Sequence, residues 1–163
     1  MGSAAVKQQG RQLKANELKW TKPLMDAGWT AVPSVILHRQ RALGLDAVDV
    51  NILLHLAKHW WEKKQLPFPS KKSIADCMGI SESTVQRHIA RLEAGGLIKR
   101  VYRFSDNHKG QKSNAYDFSG LIKEATPYAV EALQEREKRR SDDAARRKRK
   151  QLRLVGTRDE EVD

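Results

Sequence analysis

The sequence predicts a mainly helical fold: a three-helix core carrying a small β-hairpin, followed by a charged C-terminal helix. Three observations carry that expectation. Two short amphipathic segments between Ser70 and Ala94 are separated by Gly79 and by Ser81, a second helix-capping residue. Gly95-Gly96 then stops the second segment, and Leu97-Ile98 opens a strand-like run. From Pro127 onward charged residues dominate.

Composition bounds the class. A chain of 163 residues suits one domain with appendages. Its net charge of +11 is the signature of a polyanionic partner, and nucleic acid is the first candidate. No apolar run approaches the roughly 20 residues that span a bilayer, and the polar N-terminus lacks the apolar segment of a secretory signal. The one cysteine, Cys77, fits a reducing compartment and has no activating partner beside it. The expected location is therefore cytoplasmic, at the nucleoid. His55 and His59 form an i, i+4 pair without a third ligand, so neither a metal nor a cofactor is expected. The chain also lacks a Gly-rich phosphate loop, paired carboxylates in an apolar setting and a catalytic triad, and it does not read as an enzyme.

Taken in order, residues 1–22 form a flexible basic arm carrying Lys7, Arg11, Lys14, Lys19 and Lys22, and residues 23–125 form the folded domain. Pro33 suits a helix start or a strand end; a short helix over Ser34 to Arg41 is the preferred reading. Asp46 opens a stronger helix, in which Val50, Leu53, Leu54, Ala57 and Trp61 share a face and Asp46 or Asp49 complements the positive end of the dipole. Pro67 and Pro69 force an extended connection, with Phe68 expected to pin it to the core.

Ser70 caps the next helix, Gly79 supplies a left-handed stop, and Ser81 caps the helix after it. The turn has the length a helix-turn-helix requires. In the second helix Val85, Ile89 and Leu92 make an inward stripe, while Ser83, Gln86, Arg87, Ala90 and Arg91 cover the other face. Leu97 to Phe104 and Asn114 to Phe118 are the strands of a hairpin wing. Residues 126–155 are read as a charged basic helix, with Glu135–Arg139, Asp142–Arg146 and Asp143–Arg147 spaced as i, i+4 pairs and a basic block at Arg146 to Lys150. Residues 156–163 are an acidic disordered end.

The runs Ile74-Ala75-Asp76-Cys77-Met78-Gly79-Ile80-Ser81, Thr84-Val85-Gln86-Arg87 and Leu92-Glu93-Ala94-Gly95-Gly96-Leu97-Ile98-Lys99-Arg100 resemble bacterial winged helix-turn-helix proteins. Within that superfamily they are most similar to the replication-initiator and regulator type of plasmids, phages and mobile elements. The resemblance covers about residues 46–118 and implies docking of the second helix in the major groove of double-stranded DNA. Carried over by position, Ser81, Ser83, Thr84, Gln86 and Arg87 fall where the family reads bases or grips adjacent phosphates. Ser70, Lys71, Lys72 and Arg91 fall where it clamps the backbone. Glu82 is expected to favour the helix N-terminus rather than accept from cytosine. On the wing, Arg103, Lys109 and Lys112 are placed for phosphates or the minor groove.

The implied function is sequence-specific duplex binding by a transcriptional regulator of a mobile element or host operon. A replication or maintenance factor, or an adaptor in a nucleoprotein assembly, is the alternative. A homodimer and a protein partner for the basic C-terminal helix are further candidates.

Overall fold

A computed structural model describes residues 14–104 and 111–149, with backbone alone at 111, 112, 148 and 149. The readings made for residues 1–13, Lys109, the Lys112 side chain, Lys150 and the acidic end lie outside that set.

The order of elements is α1 (residues 14–20), α2 (Lys22–Asp26), α3 (Ser34–His38), α4 (Ala47–Ala57), α5 (Lys71–Met78), α6 (Glu82–Ala94), β1 (Lys99–Phe104), β2 (Gln111–Asp117) and α7 (Ser119–Arg149). Residues 14–20 and Lys22–Asp26, read as the end of the arm and the start of the domain, are helical and mostly exposed. The short helix after Pro33 is present, with Pro33 at its N-cap.

α4 begins on a complete capping box. The Asp49 amide donates to Asp46 Oδ1 at 2.8 Å, and the Asp46 amide donates to Asp49 Oδ2 at 2.9 Å. Its buried face is Asp49, Ile52, Leu53 and Leu56. That corrects the expected face: Leu54 is exposed, the helix ends at Ala57, and Trp61 lies beyond it with 70% of its surface exposed. The helix is apolar nearly all round, so periodicity alone picked a stripe about one residue off. Trp60 supplies the aromatic contact instead, stacked on Phe118 with centroids 5.2 Å apart.

The connection into α5 is pinned by Pro67, not Phe68. Pro67 is buried and its carbonyl accepts from the Tyr116 amide at 2.9 Å, which ties the connection to β2. Phe68 is exposed and lies under the guanidinium of Arg103, 3.9 Å from its ring centroid.

Ser70 caps α5 by accepting from the Ser73 amide at 3.0 Å, and Ser81 caps α6 by accepting from the Thr84 amide at 3.1 Å. Between them Gly79 has φ +65°, and the Ile80 amide returns to the Ala75 carbonyl at 3.2 Å. This is the reverse bond of a Schellman stop, which needs a residue at ease in the left-handed region. Val85, Ile89 and Leu92 are buried and meet Ile52, Leu56 and Ile74 from α4 and α5, with Leu97, Ile98, Tyr116, Phe118 and Leu121 closing the core.

β1 and β2 pair antiparallel from Lys99 opposite Asp117 to Phe104 opposite Gln111, with an irregularity between Val101 and Arg103. The second strand ends at Asp117, whose carboxylate accepts from the Ser119 amide at 2.8 Å and so favours a helix start there. α7 accordingly begins at Ser119 rather than beside Pro127, and Leu121 and Ala125 are buried. Pro127 sits inside the helix, where its nitrogen has no proton to donate to the preceding turn.

Contacts divide the chain after Ala125. In the second unit, helix residues 131–147 are all exposed; Glu135 pairs with Arg139 at 3.6 Å, and Glu137 with Arg140 at 4.0 Å. No helix among the described residues is long and apolar enough to cross a membrane.

Candidate nucleic-acid interface

The outward face of α6 is formed by Ser83, Gln86, Arg87 and Ala90, all exposed. It faces away from the buried stripe because a period of 3.6 residues sets the two faces apart. At its N-terminus, Ser81 Oγ lies 2.8 Å from both Ser83 Oγ and Thr84 Oγ1. The cap and its two neighbours form one hydroxyl cluster at the positive end of the helix dipole.

Lys71 and Gln86 meet across the turn: the Lys71 ammonium donates to Gln86 Oε1. An amide oxygen has two lone pairs. The bond therefore leaves Gln86 one acceptor site and both amide protons, while fixing which way the amide points. Beside it Lys72 is exposed. Pro69, Ser70, Lys71 and Lys72 line a recess of about 270 Å³ with Glu82, Ser113, Asn114 and Tyr116. Glu82 thus stands in the first turn of α6, as expected, and also puts a negative charge on the rim of an otherwise cationic and polar hollow.

Two expected contacts are spoken for within the protein. Arg91 turns back to α4, where its guanidinium pairs with Asp49 and lies 3.0 Å from Asp46 Oδ2. His88 joins the same group, with Nδ1 2.7 Å from Asp49 Oδ1. Asp46, Asp49 and His88 place ligand-type atoms within 4.8 Å of one another, but Arg91 already supplies the positive charge at that spot. The group is a clamp between α4 and α6. Arg103 is the second case, since its guanidinium covers Phe68. Arg91 and Arg103 therefore each make a contact within the scaffold, and Arg91 keeps about half of its side chain exposed.

The clamp was not read from the sequence. Its partners lie some forty positions apart, and the only local trace is that His88 and Arg91 are three apart on α6, while Asp46 and Asp49 are three apart on α4.

The wing is joined to α6 through Glu93 and Arg100. Glu93 Oε2 accepts from Arg100 Nε at 2.6 Å, and Oε1 accepts from the Arg100 amide at 3.2 Å. The bond to the Arg100 guanidinium holds the Glu93 carboxyl below its ordinary value of 4.5, outweighing the opposing effect of burial. Arg100 is raised by the same bond. A depressed carboxylate contributes stability that is complete above its unfolded pKa and is lost as pH falls through its folded one. Glu93→Gln is therefore expected to cost about 1 kcal/mol at neutral pH. In urea melts over a pH series, the gap to the parent protein should close as the solution is acidified below about pH 4; a gap independent of pH would show that the charge at Glu93 is immaterial.

Residues 43–98 match the helix-turn-helix domain family, from the turn before α4 to the end of the chain segment leading into β1. The fold is similar to that of the N-terminal domain of DnaD protein from Geobacillus kaustophilus HTA426. That match is 23% identical, covers 73% of this chain and 96% of that one, and has a TM-score of 0.50. A weaker likeness is to a possible transcriptional regulator from Methanosarcina mazei Go1, 18% identical over 68% of this chain and 85% of that one, with a TM-score of 0.41. No curated protein sequence matches. Within residues 43–98, α5, the Gly79 turn and α6 form a helix-turn-helix. With the antiparallel hairpin placed directly after α6, the fold is a winged helix.

Proposed function

We propose that the protein binds double-stranded DNA in a sequence-specific manner and regulates transcription by occupying its site. The observation that carries this reading is the exposed face of α6: Ser83, Gln86 and Arg87 project from a helix whose opposite side is fully buried, with the cationic Lys71 and Lys72 alongside. A major groove admits such a helix and presents a distinct donor and acceptor pattern for each base pair. Arg87 suits the O6 and N7 acceptors of guanine. Gln86, its amide oriented by Lys71, suits adenine, where one lone pair accepts from N6 and one proton is donated to N7.

The recess at the start of α5 suits a backbone phosphate, which would meet Lys71, Lys72 and the free amides of the first helical turn. The net charge of +11 adds the sequence-independent attraction that brings a duplex to this face.

Selection of bound duplexes from a random library at fixed salt tests the reading. Arg87→Ala and Gln86→Ala should each weaken binding to the selected site by ~1–3 kcal/mol while leaving non-specific binding almost intact. Retention of full site preference by both variants would remove α6 from the groove.

A further inference from the structure

The wing carries a feature that the duplex-binding reading leaves unused. Aromatic residues make up only 6% of the chain, yet Tyr102 and Phe104 sit two apart on β1, with 58% and 71% of their surface exposed. Among the described residues the two strands form a sheet of their own, with no third strand beside them. Their position is fixed rather than loose. Arg100 is held by Glu93 of α6 and Arg103 by the ring of Phe68, so β1 is anchored two residues before Tyr102 and between the two aromatics. Two residues of extended strand advance about 6.8 Å, twice the roughly 3.4 Å rise between stacked bases on one DNA strand.

Resting on the proposed duplex binding, we infer that Tyr102 and Phe104 act as an aromatic wedge, entering at a base step of the bound duplex and kinking it. The charge of the chain selects DNA as the occupant of this face, and the Arg100–Glu93 bond makes the wing continuous with the last turn of α6. A duplex lying along α6 therefore meets a strand that is tied to that helix. Apolar side chains that enter the minor groove unstack a step and bend the helix, most readily at flexible pyrimidine–purine steps.

The test uses the full-length protein and a short duplex of mixed sequence containing one TA step, with donor and acceptor dyes at its two ends. Binding affinity and end-to-end energy transfer are read in the same titration. The parent protein should bind and raise the transfer efficiency. Tyr102→Ala and Phe104→Ala together should abolish the rise and weaken binding by roughly tenfold per aromatic, the factor that corresponds to about 1.4 kcal/mol for each lost base contact. Phe104→Leu, which keeps an apolar wedge, should retain most of the rise. Circular dichroism melts of each variant check that the hairpin still folds.

Binding by the parent protein without a change in transfer would overturn the wedge and leave duplex binding intact. So would a double-alanine variant that still bends the duplex, that loses self-association instead of bending, or that loses only binding to a single-stranded oligonucleotide of the same sequence. Failure of the parent protein to bind any duplex would overturn the proposed function, and the wedge with it.

Discussion

Asp49→Ala is expected to cost about 3–5 kcal/mol of folding free energy, a large part of the ~5–15 kcal/mol that a domain of this size has to lose. Asp49 is fully buried, and three partners converge on its carboxylate: the Asp46 amide at 2.9 Å, His88 Nδ1 at 2.7 Å and the Arg91 guanidinium. Removing it strips half of the α4 capping box and leaves His88 with only the more distant Asp46 carboxylate, 3.8 Å away. Arg91 is half exposed and keeps Asp46 at 3.0 Å, so water and Asp46 recover part of its loss. Asp49→Asn retains the shape and should lose about half as much. Urea denaturation measures both. A loss under about 1 kcal/mol for the alanine variant would mean that the clamp is incidental. Because the clamp sets how α6 lies on α4, the alanine variant should also bind DNA more weakly than its residual folded fraction predicts.

Gly120→Ala should be nearly as damaging, and here the sign of the effect is itself diagnostic. Helix propensity favours alanine over glycine by about 1 kcal/mol, which would make the change stabilising. Yet a Cβ at position 120 would come within 1.9 Å of the Gly96 carbonyl oxygen, 2.9 Å of its carbon and 3.1 Å of the Leu97 oxygen. All three are backbone atoms, so no side chain can swing aside. The Leu121 amide donates to the Leu97 carbonyl at 2.7 Å, which holds the two segments together. Relief requires α7 to lift from the Gly96 turn, at an expected cost of about 3 kcal/mol. A thermal midpoint equal to or above that of the parent protein would show that the segments part easily.

The sequence made legible whatever was decided locally. Ser70, Gly79 and Ser81 announced their roles because a cap or a left-handed stop depends on a few neighbouring residues. Val85, Ile89 and Leu92 stood out because the rest of α6 is polar. α4 defeated the same reasoning by being apolar on nearly every side, and by burying a charged residue whose compensation comes from α6. The charged helix was read from residue 126 because charge dominates there; burial of Leu121 and Ala125 starts it earlier, at Ser119. At the candidate site, the exposure of Ser83, Gln86 and Arg87 was legible because it follows from helical period alone. The internal contacts of Arg91 and Arg103 could not be read, because nothing near either residue in the sequence claims it. Their claimants, Asp49 and Phe68, adjoin them only in the folded chain.

The meeting of Gly96 with Gly120 has a consequence for how such a protein can change. The chain between them stays in the core at both ends, through Leu97 and Ile98 on one side and Tyr116 and Phe118 on the other, and this root is fastened by the Leu121–Leu97 bond. Once a root is closed, lengthening what hangs from it adds only a logarithmic entropy term, about 0.6 kcal/mol for each doubling. Outward of Arg100 on β1 and Ala115 on β2, where the strands leave the core, the hairpin can therefore change in length without renegotiating the core or the α6 face. The two glycines close the root beneath that variable part.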